Sequence, residues 1–159
     1  AFDDPPRPFE FTDGLIFEIV LSSSAYAQLK RHRTLSLIAQ DYDPTLKVTI
    51  PQSIVATGLK DEFLAVCQQS EELFANIHPQ VGKAAEYCLT NAHRRRALVA
   101  TNPRQMCHFA RLRSDGHAQW DIRQISEDMM ALAHEVAPLS HLLACGKDQF
   151  AETKSNLYD

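Results

Sequence analysis

The hydrophobic pattern of the chain switches between a two-residue and a helical period, and the switches fall at clusters of turn-forming residues. GLIFEIVL, Gly14 to Leu21, is β-branched, aromatic and alternating, which predicts a strand. SSSAYAQLKRHR follows with serines suited to capping and then good helix formers, predicting a short helix that ends near Arg33. TLSLIAQ reads as strand or extended loop, and TLKVTIP, Thr45 to Pro51, as a strand stopped by proline. From Lys60 to His78, Phe63, Val66, Cys67, Leu73 and Phe74 recur at helical spacing up to an HP dipeptide, and Pro79 is suited to open another helix through Leu89. ALVAT, Ala97 to Thr101, is a brief strand. NPRQMCHFARLR then starts a helix, with Asn102 as N-cap and Pro103 at the first helical position. After SDG, HAQWDIRQISEDMMALAHEVAP carries Ile122, Ile125, Met129, Leu132 and Val136 as one apolar face before Pro138, and Trp120 reads as core. Residues 1–13, with Pro5, Pro6 and Pro8, read as an extended lead-in. The pattern predicts an α/β fold of the α+β type, a mixed sheet packed with helices, forming a single domain over residues 14–159.

Composition narrows the function classes. With 159 residues, 45% of them hydrophobic, the chain can bury one core. A net charge of −4 opposes general affinity for nucleic acid or anionic membrane, which needs a broad positive field. Cys67, Cys88, Cys107 and Cys145 lack CxxC or zinc-ligand spacing and read as reduced, mostly buried thiols, so no metal site is expected. No apolar run is long enough to span a bilayer, and AFDDPPRPFEF is unlike a signal peptide, so the expectation is a cytoplasmic protein. Ala1 in place of methionine reads as a processed protein or a fragment.

The basic residues are clustered even so. Lys30, Arg31 and Arg33 form one run, and Arg94, Arg95 and Arg96 form a second that reads as wet surface near a turn. On the helix from Asn102, the 100° spacing puts Met106, Phe109, Ala110 and Arg113 on one side, so a guanidinium enters an apolar stripe. It must snorkel, meet an acid or meet a ligand acceptor. Arg104, His108 and Arg111 make a second, cationic ridge beside it. Spacing alone leaves two readings open: solvated arginines with one structural ion pair, or a site for an anion or heterocycle. There is no GxGxxG, Walker loop, GxSxG or HExxH.

Together, RHR at Arg31 to Arg33, the strand end from Tyr42 to Pro51, and NPRQMCHFARLRSDGHAQWDIRQISEDM resemble the flavin-dependent thymidylate synthases over roughly Phe11 to Pro138. The specific part is the C-terminal half. The resemblance implies reductive methylation of dUMP to dTMP, with methylenetetrahydrofolate as carbon donor, FADH2 as hydride donor and NADPH regenerating the flavin. It also implies a homotetramer with active sites between subunits. By position it assigns Arg31, His32, Arg33, Ser36, Asn102, Arg104 and His108 to FAD, and Gln28, Gln40 and Arg113 to the nucleotide, Arg113 at the uracil carbonyl as the catalytic contact.

Departures from the family pattern bear on the substrate. Asp41 and Asp43 stand where the family has a serine and an arginine for the dUMP phosphate, Ala39 replaces a glutamate, and Glu86 replaces a nucleotide-binding arginine. Two carboxylates a few ångströms from a dianionic phosphate cost on the order of a few kcal/mol. AAEYCLTNA lacks the family's LP step, and the N-terminal segment with further flavin contacts is short. Three readings follow: an active enzyme; a degenerate FAD-binding or structural subunit that keeps the intersubunit surface, paired with itself or with a complete family member; and a basic-patch nucleic-acid binder, which the charge balance disfavours.

Overall fold

The structure is a computed structural model and describes residues 7–12 and 14–158. Three antiparallel strands, β1 (Leu15–Ser22), β2 (Ser36–Ala39) and β3 (Arg94–Thr101), form a sheet in the order β1-β3-β2. Among the described residues, six α-helices accompany it: α1 (Ser23–Leu29), α2 (Gln52–Ala56), α3 (Lys60–Val81), α4 (Pro103–Arg113), α5 (Trp120–Val136) and α6 (Phe150–Tyr158). This is the expected α+β class. The alternation read in β1 is real, since Phe17, Ile19 and Leu21 are buried while Ile16 and Val20 face outward.

Local chemistry accounts for several departures from expectation. α1 ends at Leu29, and RHR lies in successive turns beyond it, with His32 N donating to Leu29 O and Leu35 N to His32 O. TLKVTIP is no strand: Pro44–Leu46 is a 3-10 turn, Lys47 has φ 64°, and only Val48 pairs, with His93. A left-handed lysine cannot continue an extended ladder. α3 runs through Pro79 instead of stopping at His78, giving up the hydrogen bond that an N–H at position 79 would make one turn back; Gly82, at φ 58°, ends it. The residues that follow, Gly82–Cys88, form a 3-10 helix and not an α-helix opened by Pro79. Of the proline-rich lead-in, Arg7–Glu10 is a 3-10 turn instead of extended chain, while residues 1–6 and 13 lie outside the described residues.

The contacts divide the chain into two compact units. One holds the described residues up to Glu18, Ala27–Ile38 and the chain from Leu98 onward; the other holds Ile19–Tyr26 and Ala39–Ala97. In the first, Met106, Phe109, Ala110 and Ile122 are fully buried, and Ser114 Oγ donates to Ser126 Oγ at 2.9 Å inside the core. The buried seam of α5 is Ile122, Ser126, Met129 and Ala133, turned away from Leu132 and Val136, which are exposed. Trp120, expected in the core, is 39% exposed at the start of α5.

In the second unit, His93 is fully buried. Its Nδ1 accepts from Thr90 N at 2.9 Å, which leaves Nε2 to donate to Glu71 Oε1 at 3.2 Å. The second basic run is not a wet surface. Arg94 Nε donates to Thr49 Oγ1 at 2.9 Å, and the Arg95 guanidinium stacks on the rings of Tyr26 and Tyr42, 4.7 and 4.0 Å from their centroids. α3 spans 22 residues yet buries only Cys67 fully, with Val66 and Leu73 exposed on its outer side. Cys67, Cys107 and Cys145 are buried free thiols and Cys88 is half-buried.

Candidate functional site along helix α4

The start of α4 is fixed by a capping box. Asn102 Oδ1 accepts from Gln105 N, and Gln105 Oε1 accepts from Asn102 N, both at 2.9 Å. The amide nitrogen of Gln105 then donates to Thr34 O at 2.6 Å, so one side chain closes the cap and ties α4 to the loop after RHR. Beyond the cap, the cationic ridge read from the sequence comes together in space. Arg104, His108 and Arg111 line a cavity of about 470 Å³ with Glu10, Thr34, Asn102 and Gln105. Arg104 Nε pairs with Glu10 Oε1 at 3.1 Å, and Asn102 Nδ2 donates to Glu10 O at 3.3 Å.

At the other end of the helix, Arg113 is clamped. Its Nε donates to His32 Nε2 at 2.7 Å, its Nη1 to Gln28 Oε1 at 3.1 Å, and its Nη2 to Gln28 O at 3.3 Å. A guanidinium can only donate, so His32 accepts through Nε2 and carries its proton on Nδ1. Leu29 and Leu35 are buried on either side of His32, which turns its ring inward, edge-on to Phe109 at 4.9 Å. Burial, reinforced by Arg113 and then His108, lowers the His32 pKa from 6.5 to about 4. Burial and nearby Arg31 lower the Arg113 pKa as well. The apolar-face arginine has therefore met neutral acceptors: among the described residues, its hydrogen-bond partners carry no compensating charge.

A second cavity of about 540 Å³ adjoins this end, with Arg111, Arg113, His117 and Lys147 in its wall. Arg111 lines both cavities. Thus Gln28, His32, His108 and Arg113 are brought together, and Asn102, Arg104 and His108 share one cavity. Arg31, Arg33 and Ser36 are exposed in the same unit and line neither cavity.

Gln40 belongs to the other unit, as do the departures at Ala39, Asp41, Asp43 and Glu86. Asp41 pairs with Lys83. Asp43 Oδ1 caps the turn at Pro44, accepting from Thr45 N at 2.9 Å and Thr45 Oγ1 at 2.6 Å. Both carboxylates thus have local structural roles. Gln105, Thr34 and Glu10 were missed by sequence reasoning. Gln105 alone had a signal, its third helical position after an Asn-Pro start.

Comparison with known proteins bears on the same residues. The family model described as thymidylate synthase complementing protein matches residues 4–139. A UPF0159 protein of Thermoplasma acidophilum is 28% identical over 134 residues, covering 83% of this chain and 27% of the relative. A UPF0159 protein of Chlamydia muridarum is 28% identical over 124 residues, covering 78% of this chain and 23% of the relative. A flavin-dependent thymidylate synthase of Geobacter sulfurreducens is 30% identical over 128 residues, covering 74% and 55%. The chain spans about a quarter of the length of the first two relatives and about half of the third. No helix among the described residues is long and apolar enough to cross a membrane. With the family match running through α4 and its clamp, the chain belongs to the thymidylate synthase complementing protein family.

Proposed function

We propose that the cavity along α4 holds the phosphates of FAD, and that the chain works as a flavin-dependent thymidylate synthase-like protein on dUMP. The observation that carries this reading is the convergence of Asn102, Arg104, His108 and Arg111 on one cavity, a donor set suited to a diphosphate. The cavity admits part of a dinucleotide, and Arg33 immediately precedes the wall residue Thr34. Ser36, beyond it, keeps its flavin role from the resemblance alone. Glu10 must yield Arg104 when a phosphate enters. That exchange is cheap, because a partly exposed ion pair is worth about 0–1 kcal/mol.

Bound flavin would supply the hydride, with methylenetetrahydrofolate supplying the carbon and NADPH the reducing equivalents. The chain's own part is positioning and charge. Arg113, held flat by Gln28 and His32, retains N–H groups that can reach a pyrimidine carbonyl and stabilise negative charge developing there. No general base is needed for that role. Gln28 has a double use, as clamp and as nucleotide neighbour, while Gln40 keeps its nucleotide role from the resemblance alone.

A second reading, an FAD-binding or structural subunit without dUMP chemistry, is favoured by one specific feature. Asp41 and Asp43, at the positions assigned to the phosphate, are already engaged by Lys83 and Thr45. In either case we infer a homo-oligomer, a tetramer by family precedent, or pairing with a complete family member; the poorly buried outer side of α3 supports such an assembly. A single domain over residues 14–159 and a cytoplasmic setting belong to the same proposal. The test is an absorbance spectrum of the purified protein with mass spectrometry of heat-released ligand, followed by dUMP titration of the flavin band. A flavin spectrum that responds to dUMP supports the enzyme; a flavin spectrum unmoved at millimolar dUMP supports the FAD-binding subunit; failure to take up flavin rejects both of these and leaves the structural subunit.

A further inference from the structure

The second cavity contains a cationic residue from outside the family-matched segment, which ends at 139. Its wall combines Arg111 and Arg113 of α4, the turn at Asp115, His117 and Ala118, and Lys147 with Asp148 from a 3-10 turn over Lys147–Gln149. That turn is docked tightly. Asp148 Oδ2 accepts from Gly116 N at 3.1 Å, and a Cβ on Gly146 would meet Ser114 O at 2.6 Å, so only glycine permits the approach.

The charges in the wall are unequally committed. Asp115 Oδ1 accepts from both His117 N and His117 Nδ1 at 2.9 Å, and Asp148 holds the Gly116 amide. Both carboxylates therefore brace the turn. Lys147, by contrast, is exposed and makes no hydrogen bond or ion pair among the described residues, and the Arg113 charge meets only neutral acceptors. Lys147 and Arg113 thus share this wall with two carboxylates that also brace its turn, Lys147 lying near enough to Asp115 to help lower its pKa, while the Arg111 guanidinium lies over the Phe150 ring at 5.9 Å.

We propose that this cavity is an anion subsite, taking a carboxylate or phosphate group between Lys147 and the α4 arginines. Its wall shares Arg111 with the first cavity, while Lys147, His117 and Asp148 belong to this cavity and not to that one. Lysine contributes a mobile point charge, and the arginines contribute oriented donors.

The test uses the full chain, labelled with ¹⁵N, titrated separately with inorganic phosphate and with succinate at constant ionic strength. The expected result is saturable shifts of the Gly116, His117 and Lys147 amides with at least one probe, the tighter probe identifying the group. Lys147→Gln, an exposed change that breaks no hydrogen bond, should weaken that probe roughly tenfold. Asp148→Asn, which keeps an oxygen for the Gly116 amide, should tighten it severalfold. Saturable shifts with both variant effects in these directions support the subsite. Linear shifts up to 50 mM, or equal affinity in wild type and Lys147→Gln, overturn it.

Discussion

Arg113 and His32 are joined at 2.7 Å, Nε donating to Nε2, although 81 residues separate them in sequence. The bond fixes three properties at once: the plane of the guanidinium, the tautomer of the imidazole and the neutrality of that imidazole. His32 therefore reads as the positioning residue of Arg113 in addition to the flavin neighbour implied by family resemblance.

The pH dependence follows from the direction of the shift. His32 titrates near 4 in the folded protein and near 6.5 when unfolded, so between those values the unfolded chain binds more protons. Its contribution to stability is complete above about pH 6.5 and is lost as pH falls toward 4. In ¹⁵N NMR the ring should be the Nδ1–H tautomer at pH 7 and show no titration above pH 5. A midpoint near 6.5 contradicts the clamp.

Replacing His32 separates packing from hydrogen bonding. His32→Phe keeps an aromatic ring beside Phe109 but leaves the Arg113 Nε–H without its acceptor, which should destabilise the fold by about 1–3 kcal/mol. His32→Gln offers an oxygen again and should recover part of the loss. Urea denaturation of the two variants checks the order, and equal stabilities would dismiss the hydrogen bond as a contributor.

Asn102→Ala removes the Oδ1 acceptor of the Gln105 backbone N–H, while the Gln105 side chain keeps its bonds to the residue 102 N–H and to Thr34 O. A loss of about 1 kcal/mol is expected, or roughly 2–4 °C in thermal midpoint for a chain of this size. Calorimetry measures it. An unchanged midpoint would show that the cap contributes nothing here.

Much of α4 was legible because its start signal is local. Asn-Pro and the Gln three positions after the cap determine it, and Met106, Phe109 and Ala110 follow at helical spacing. What lay hidden has physical causes. The core seam of α5 includes Ser126, satisfied by Ser114, so a search for apolar residues alone rotates the face toward Leu132. Lys47 left the extended region with no glycine to signal it. The partners of Arg113 were invisible as partners because a glutamine near the end of α1 and a histidine in the turn after it are neutral, and charge patterning anticipates acids.

Asp41→Ser combined with Asp43→Arg is expected to raise dUMP affinity by tenfold or more by replacing two anions with a neutral donor and a cation. The same double change removes the cap at Thr45 and should cost about 1 kcal/mol of stability. Isothermal titration beside urea denaturation reads both effects; stability loss without a gain in affinity would confine the two aspartates to structural work.

The central claim concerns the cavity along α4 and is tested most directly by titrating the full chain with FAD and following flavin fluorescence, in wild type and in Arg104→Ala. Saturable quenching in the micromolar range, weakened at least tenfold in Arg104→Ala, is the predicted result. Identical FAD affinity in the two proteins, or none that saturates in wild type, would contradict it.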